Sequence, residues 1–416
     1  MPRQPNEVIP ALDLDDLRAS VAGARIGIIH YGEHVTLDDG YRPARMGQLA
    51  EWLTSAGAIV RRFVPTYSDI AGFQRSESWT GTVTREGIIH MVKTRSFESS
   101  RSPARFRFLR EFAQGAAAAV AETGPYDLLI IGFPPPGVAS AIRSQSEKVP
   151  ILADIRDLWP DALFGDPHKY VAAAAQVAGQ GLAKELKRVD GVVAMSNTML
   201  ERAPQSKRLQ AIPHSISESL REVPIAIEDD SPMQAVFVGL LTDFFDMESL
   251  ISGWARFVSQ RTGTDEPVLR IFGSGNTEEQ VREWARPYPS IRCEGWVASS
   301  EIPRLVAEAD IGVVPPRAGL GTTLSNKVLE YLGTGVYILN SLEPESAEVL
   351  EVQGLGARVA STPAGWAHGF ADFERDLKHH RADRHQRQQV ALAAYGREGI
   401  EPRWLSEIVK LISQPS

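Results

Sequence analysis

Short apolar runs alternate along this chain with stretches whose apolar residues recur at helical spacing, a pattern that predicts parallel α/β sheets. In the first half the runs are "RIGIIHY" (25–31), "AIVRRFV" (58–64), "DLLIIGF" (127–133), "VPILADI" (149–155) and "GVVAMS" (191–196). The second half offers "AVFVGLL" (235–241), "VLRIFGSG" (268–275), "IGVVPP" (311–316), "VYILNS" (336–341) and "ARVAS" (357–361). Their continuity suits strands covered by helices on both faces, and their shortness and β-branched content favour strands over buried helix. The polar, acidic, proline-bearing stretch 216–233 interrupts the alternation and is expected to link two domains, residues 1–215 and 234–390. The tail 391–416 resumes helical spacing and is expected to pack back across the joint. Two such domains predict a cleft lined by the C-terminal ends of strands, where ligands usually bind.

One helical stretch carries unusual chemistry. "TTLSNKVLEYLGTG" (322–335) places Val328, Leu329 and Leu332 on an apolar face, and Thr323, Asn326, Lys327 and Glu330 on or near the other. It follows a strand and the loop "RAGLGTT", whose glycines at 319 and 321 let a ligand approach the backbone, and Gly335 is a plausible helix stop. The helix N-terminus presents unpaired N–H groups and partial positive charge, Lys327 adds a full charge, and Glu330 is a bidentate acceptor suited to a ribose. Together they describe a nucleoside diphosphate site. The bland alternative is a solvated Lys327–Glu330 ion pair worth a few tenths of a kcal/mol.

The totals narrow the class. A chain of 416 residues argues for two domains, or three. With 43% hydrophobic and 23% charged residues it has the composition of an ordinary soluble globular protein, and 52 acids against 44 bases give a net charge of −8, unlike a broadly basic nucleic-acid binder. The single Cys293 precludes an internal disulfide or a cysteine-based zinc site and fits a reducing cytoplasm. The opening residues lack the charged-then-apolar layout of a signal peptide, and no run approaches the roughly 20 apolar residues of a membrane span. The expected location is therefore cytoplasmic, with any membrane contact peripheral.

Several segments in order resemble the retaining glycosyltransferases of family 4, which have the GT-B fold, and in particular the bacterial branch that builds capsule, exopolysaccharide and O-antigen chains. They are "GYRPARMGQLAEWLTSAGAIVRRF", "DLLIIGFPPPGVASA", "VPILADIRDLWPDALFG", "VFVGLL", "LRIFGSGN", "EGWVASSEIPRLVAEADIGVVPP" and "SNKVLEYLGTG". The resemblance spans most of residues 25–345. It implies that Glu330 binds the donor ribose and that Ser325, Asn326 and Lys327 face the diphosphate, with Thr323 and Gly239 also on the donor side. It implies that Gly273, Gly275, Trp296 and Val297 flank the base. In the first half it implies that Gly40 and Arg42 approach the sugar and phosphate, and that Asp154, Arg156 and Asp157 lie at the acceptor side, with Asp157, Arg156 and Lys327 as catalytic groups. Structural alternatives stand beside these: a strand-end turn for the glycines, a packing role for Trp296, an Arg156–Asp157 ion pair, and a surface position for Arg42, whose neighbour Arg45 competes for its role.

Two departures from the family pattern stand out. Thr322 occupies the place of a first glutamate that many members carry, and "GLLTDFFDMESL" offers Leu241, Thr242 and Asp243 where an Arg and a Lys often follow the strand. Lys327, the helix dipole and Arg317 are then left to stabilise the leaving group. The implied reaction moves a sugar from a nucleoside diphosphate donor to a glycan or lipid-linked hydroxyl with retention, without the carboxylate pair of a glycosidase. No cofactor and no metal are expected, since the DxD within "LDLDD" (12–16) reads as a solvated acidic turn. Residues 93–110 gather six basic residues and three phenylalanines, which suits an anionic membrane or lipid diphosphate, or else a solvated basic loop. A non-hydrolysing sugar-nucleotide epimerase and a degenerate transferase serving as a partner subunit are the remaining alternatives. A dinucleotide oxidoreductase fits poorly, because neither half carries GxGxxG after its first strand.

Overall fold

The computed structural model describes residues 13–38, 41, 43–70, 72–98, 102–133, 135–145, 149–156, 181–201, 203–225, 231–263, 265–318 and 324–413. The chain divides into two units, residues 1–212 with 401–416, and residues 213–400. Each is built around a parallel sheet, as the runs of apolar residues predict.

In the first unit the strands lie in the order Arg208–Ala211, Gly191–Ala194, Ile151–Ile155, Leu128–Phe133, Arg25–Ile29, Ile59–Pro65, Gly87–Val92 and Val83–Thr84, all parallel except the last. Leu128–Phe133 and Ile151–Ile155 are buried along their whole length, which requires cover on both faces and explains their unbroken apolar sequence. Helix Pro103–Thr123 supplies part of it, burying Phe108, Phe112 and a stripe of small residues, Ala113, Ala116, Ala117 and Ala119. Ser102 caps that helix by accepting the Arg105 amide, and Pro103 occupies its first turn, where a missing N–H costs nothing.

The second unit has six parallel strands in the order Ile291–Gly295, Val268–Phe272, Gln234–Val238, Ile311–Val314, Tyr337–Asn340 and Gly356–Arg358. Counted within the unit this is 3-2-1-4-5-6, the order of a doubly wound dinucleotide-type sheet. Separate apolar clusters form around Tyr331 and Leu332 and around Trp254, Trp366 and Phe370. In both units the strand order reverses beside the unit's first strand. The two reversal points lie between Arg25–Ile29 and Leu128–Phe133, and between Gln234–Val238 and Ile311–Val314.

Ten expected strands are present, while Gly87–Val92, Arg208–Ala211, Ile291–Gly295 and the two-residue strands Tyr67–Ser68, Phe73–Gln74 and Val83–Thr84 were not anticipated from the sequence. Ile291–Gly295 is an edge strand whose Arg292 and Glu294 face solvent, so it never forms an apolar run. The expected linker also differs: Ile216 and Leu220 are buried in the second unit, packed where a Cβ on Gly333 would fall. The tail divides too, since helix Arg397–Ile412 runs from the second unit into the first. There Arg18 makes a bidentate pair with the buried Glu401, and Trp404 lies under the Arg45 guanidinium at 4.8 Å.

Trp404, Leu405, Ile408 and Leu411 are all buried, so the last helix is structural for the first unit. Trp404→Ala is expected to destabilise that unit by about 3–5 kcal/mol. Limited proteolysis in increasing urea checks this: cleavage within 13–212 should precede cleavage within 231–400 at lower urea than in the wild type.

Candidate functional site

The sites form where the strands end. In the second unit, Gln234–Val238 ends at Gly239, and the strand beside it across the reversal point, Ile311–Val314, is the one that helix Asn326–Gly333 follows in the chain. Three glycines make this junction. Gly273 (φ +147°) lies so close to the Gly239 carbonyl that a Cβ would sit 1.9 Å from its oxygen, and Gly275 (φ +156°) would place one 2.1 Å from the Leu241 oxygen. The backbones are instead stitched together by Gly239 N–H to Phe272 O (3.0 Å) and Leu241 N–H to Ser274 O (2.9 Å). Close backbone packing therefore accounts for Gly273 and Gly275, in line with the strand-end alternative.

Gly239 (φ +148°) has a different neighbour. A Cβ there would fall 2.8 Å from both Cε and Nζ of Lys327. The lysine side chain folds over this glycine, and its nitrogen lies 3.5 Å from the centre of the Phe237 ring and 3.8 Å from that of Phe245. It is 9% exposed, and Nζ has no hydrogen-bond partner among the described residues. Burial holds its pKa well below the ordinary 10.5, offset only in part by Glu330. Ring faces return about 2 kcal/mol to a desolvated ammonium, whereas removing that ion from water costs several kcal/mol, so the direction is physically sound.

Glu330 is also buried, one turn along, so the two residues are not a solvated ion pair. Among the described residues of this segment only Ser325 and Asn326 face solvent, and Ser325 makes no side-chain capping bond to the helix start. The helix is anchored from below: the Tyr331 hydroxyl donates to Val236 O (3.2 Å) and accepts from the Val238 amide (3.1 Å), with its ring over Gly312. At its far end Gly335 (φ +69°) takes the left-handed conformation expected of a helix stop. Arg384 donates to Thr334 O and Ala309 O, and Gln388 to Gly333 O.

Trp296 is 72% exposed and thus not a packing aromatic, while Val297 is partly buried against the core. Leu240 and Phe244 are exposed on the loop after Gly239. Leu241 is buried, Asp243 accepts from Asn276, and the Arg317 Nε donates to the Asp243 carbonyl at 2.8 Å. Arg317 thereby fastens the loop that lacks the arginine and lysine of the family pattern.

In the first unit the matching junction is a buried charge network. Asp154, expected at the acceptor side, is fully buried, with both oxygens held by Arg45 at 2.8 Å. This is a structural pair, with no exposed carboxylate oxygen to offer an acceptor. Arg156 pairs at 3.0 Å with Glu33, a residue that no pattern in the sequence singled out. Glu33 also accepts the Met46 and Gly47 amides at the start of helix Arg45–Ser55. Behind it Arg62, in the middle of a strand, lies 3.6 Å from Glu33 and bonds Glu86, whose other oxygen takes the Thr36 amide and hydroxyl. Burial alone would raise the Glu33 pKa; the neighbouring His30, Arg156 and Arg62 side chains and the Met46 amide outweigh it and hold the carboxyl far below the usual carboxylate range. Burial also holds the His30 imidazole well below 6.5, aided by the nearby arginines. Asp157, Gly40, Arg42 and Thr323 lie outside the described residues.

The basic segment 93–110 is more ordinary than expected. Phe108 is buried and Phe97 packs on it at 5.1 Å, while Lys93 and Arg95 pair with Glu77 and Glu111. Phe106 remains exposed. Asp13, in the DxD stretch, caps helix Leu14–Val21. Among the described residues no cluster of three metal-ligating side chains occurs, and no helix is long and apolar enough to cross a membrane.

Comparison with known proteins places these features. Residues 233–376 match the family model described as "Glycosyl transferases group 1". Among solved structures the chain is similar to a sucrose-phosphate synthase from Thermosynechococcus elongatus (14% identity, 93% of this chain, 98% of that chain, TM-score 0.68). It is also similar to HepE of Anabaena in complex with UDP (11% identity, 93% and 99%, TM-score 0.65) and to the lipopolysaccharide outer core galactosyltransferase WaaB (15%, 93% and 99%, TM-score 0.55). No curated protein matches the sequence. The architecture is the GT-B fold, two Rossmann-like domains.

Two outcomes follow from the first-unit network. Asp154→Ala should cost about 3–5 kcal/mol in urea denaturation, because it strands a buried guanidinium, whereas Arg45→Met with Asp154→Leu should recover most of that loss. His30, with its folded pKa below the unfolded 6.5, binds fewer protons folded than unfolded. Stability should therefore fall as pH drops below about 6.5, and His30→Gln should flatten that part of the denaturation-midpoint profile while leaving the later, carboxylate-driven loss below about 4.5.

Proposed function

We propose that the protein transfers a sugar from a nucleoside diphosphate donor to a hydroxyl of a glycan or lipid-linked acceptor, with retention at the anomeric carbon, as in the family 4 enzymes of bacterial polysaccharide synthesis. The observation that carries this reading is the junction of Gly239, Lys327 and Glu330 at the reversal point of the second sheet, inside the segment that matches the glycosyl transferase model. A buried nitrogen without an oxygen partner, beside an uncapped helix start, is an unmet demand for an anion. Glu330 one turn on supplies the acceptor for ribose hydroxyls, and exposed Trp296 offers a face for the base.

In this mechanism departure of the diphosphate creates negative charge that Lys327 and the helix amides stabilise, the electrostatic contribution that usually dominates such catalysis. The incoming hydroxyl approaches on the leaving-group face and gives its proton to the departing phosphate. Arg156, fixed by Glu33, and Asp157, next in sequence, are assigned catalytic roles in this reading. The positive charge comes from the chain itself, so the reaction is assigned no metal; loss of activity in EDTA restored by a divalent ion would overturn that assignment. The protein is placed in the cytoplasm.

A second reading, a non-catalytic partner subunit, draws on one observation: the loop after Gly239, residues 240–246, contains no lysine or arginine.

A thermal-shift panel of UDP, GDP, ADP, CMP and dTDP with their sugars tests the reading, beginning with UDP because the Anabaena neighbour was solved with it. A shift with one base family, lost in Glu330→Ala and reduced in Trp296→Ala, is the expected result. No shift with any nucleotide favours the partner-subunit reading.

A further inference from the structure

The Lys327 side chain is enclosed by three groups that share no oxygen acceptor: the Phe237 ring, the Phe245 ring and the α-carbon of Gly239. Each is fixed independently. Phe237 belongs to the central strand, Phe245 is held by the edge of Phe244 and by its bridge to Pro316, and Gly239 is bonded to Phe272 O. The charged groups on the surrounding elements are committed elsewhere. Asp243 accepts from Asn276, Asp246 caps the next helix through the Ser249 amide and accepts from Ser361, Arg270 pairs with Glu294 and Glu308, Asp310 is bound by Arg381, and Arg317 holds the Asp243 carbonyl. Glu330, on the same helix, is the one charge acting on the nitrogen.

We propose that Phe237, Phe245 and Gly239 form a seat that keeps the Lys327 nitrogen away from acceptors, so that its capture of a phosphate group takes up a proton from solvent. The lone pair of the seated amine receives that proton, and the resulting ammonium meets the phosphate oxygens. Donor binding is then coupled to pH, and Phe245 sets the coupling without touching the donor. This rests on the donor-site reading above.

Isothermal titration of the full chain with UDP, GDP and ADP, in Tris and in HEPES, tests it at about pH 8, where a terminal phosphate with a second pKa of about 6 is fully ionised. The expected result is a binding enthalpy that depends on buffer and reports uptake of about half a proton or more per nucleotide. Lys327→Arg, whose guanidinium stays charged, should bind without uptake, and Phe245→Leu, which opens the seat to water, should bind with less uptake than the wild type. Equal enthalpies in both buffers for the wild type would mean a resident ammonium and would overturn the proposal while leaving the donor site standing. Absence of binding by all three nucleotides would overturn the donor-site reading and this proposal with it.

Discussion

A charge removed from water must find a counter-charge or a set of dipoles, and this constraint organises both units. Among the buried lysine and arginine side chains described, Arg45 has Asp154, Arg62 has Glu86, and Arg75 has Asp38. Arg384 and Arg387 have backbone carbonyls at the ends of neighbouring segments. Apart from the His380 carbonyl, seven residues before Arg387, the partners come from distant parts of the sequence, so the pairs define tertiary structure and punish its loss. Lys327 is the exception. It too is buried, though slightly less fully than these arginines, yet its surroundings are two aromatic rings and a glycine. Against that background a missing partner indicates a place left for something else.

The location of the exception follows from topology. A parallel sheet with helices on both faces leaves no room for polar chemistry along its strands, so polar groups collect where the strands end. Where strand order reverses, two connections leave in opposite directions and the ends lie open between them. The second unit uses that opening for Gly239 and the start of helix Asn326–Gly333. In the first unit the equivalent position holds Glu33, which already occupies the amides at the start of helix Arg45–Ser55. The two halves thus share a plan and differ in occupancy: one helix start carries an internal carboxylate, and the other, among the described residues, has no side-chain cap and lies beside an amine with no hydrogen-bond partner. That asymmetry favours the second unit as the phosphate-binding side.

Legibility in the sequence tracked local pattern. Strands buried on both faces, such as Leu128–Phe133, announced themselves as apolar runs, whereas Ile291–Gly295, at a sheet edge with alternate residues in solvent, did not. The Lys327–Glu330 spacing was visible because it lies within one helix. Its burial was not, since it depends on Phe237 and Phe245, some 80 to 90 positions earlier in the chain. Asp154 shows the same limit in reverse. Its place at a strand end suggested contact with a ligand, and only the long-range approach of Arg45 reveals it as part of a closed pair. Glu33 offered no signal, because a lone glutamate after a strand looks like any surface acid until Arg62 and Arg156 converge on it.

The absent arginine and lysine after the first strand of the second unit now have a structural counterpart. A cation on that loop would stand in solvent, strongly hydrated, and would meet a phosphate through a high dielectric. In the proposed donor site Lys327 would meet it from a dry seat whose walls are fixed before the ligand arrives, and low dielectric would strengthen the attraction once the charge is present. One preorganised amine, protonated as it captures the phosphate, can replace two solvated cations only if nothing inside the protein competes for it. Arg317 takes the Asp243 carbonyl, Asn276 takes the Asp243 carboxylate, and Tyr331 fixes the helix to the sheet, so the loop is held in place without drawing on Lys327. The glycine at 239 completes the arrangement: any side chain there would collide with the lysine and expel it from between the rings.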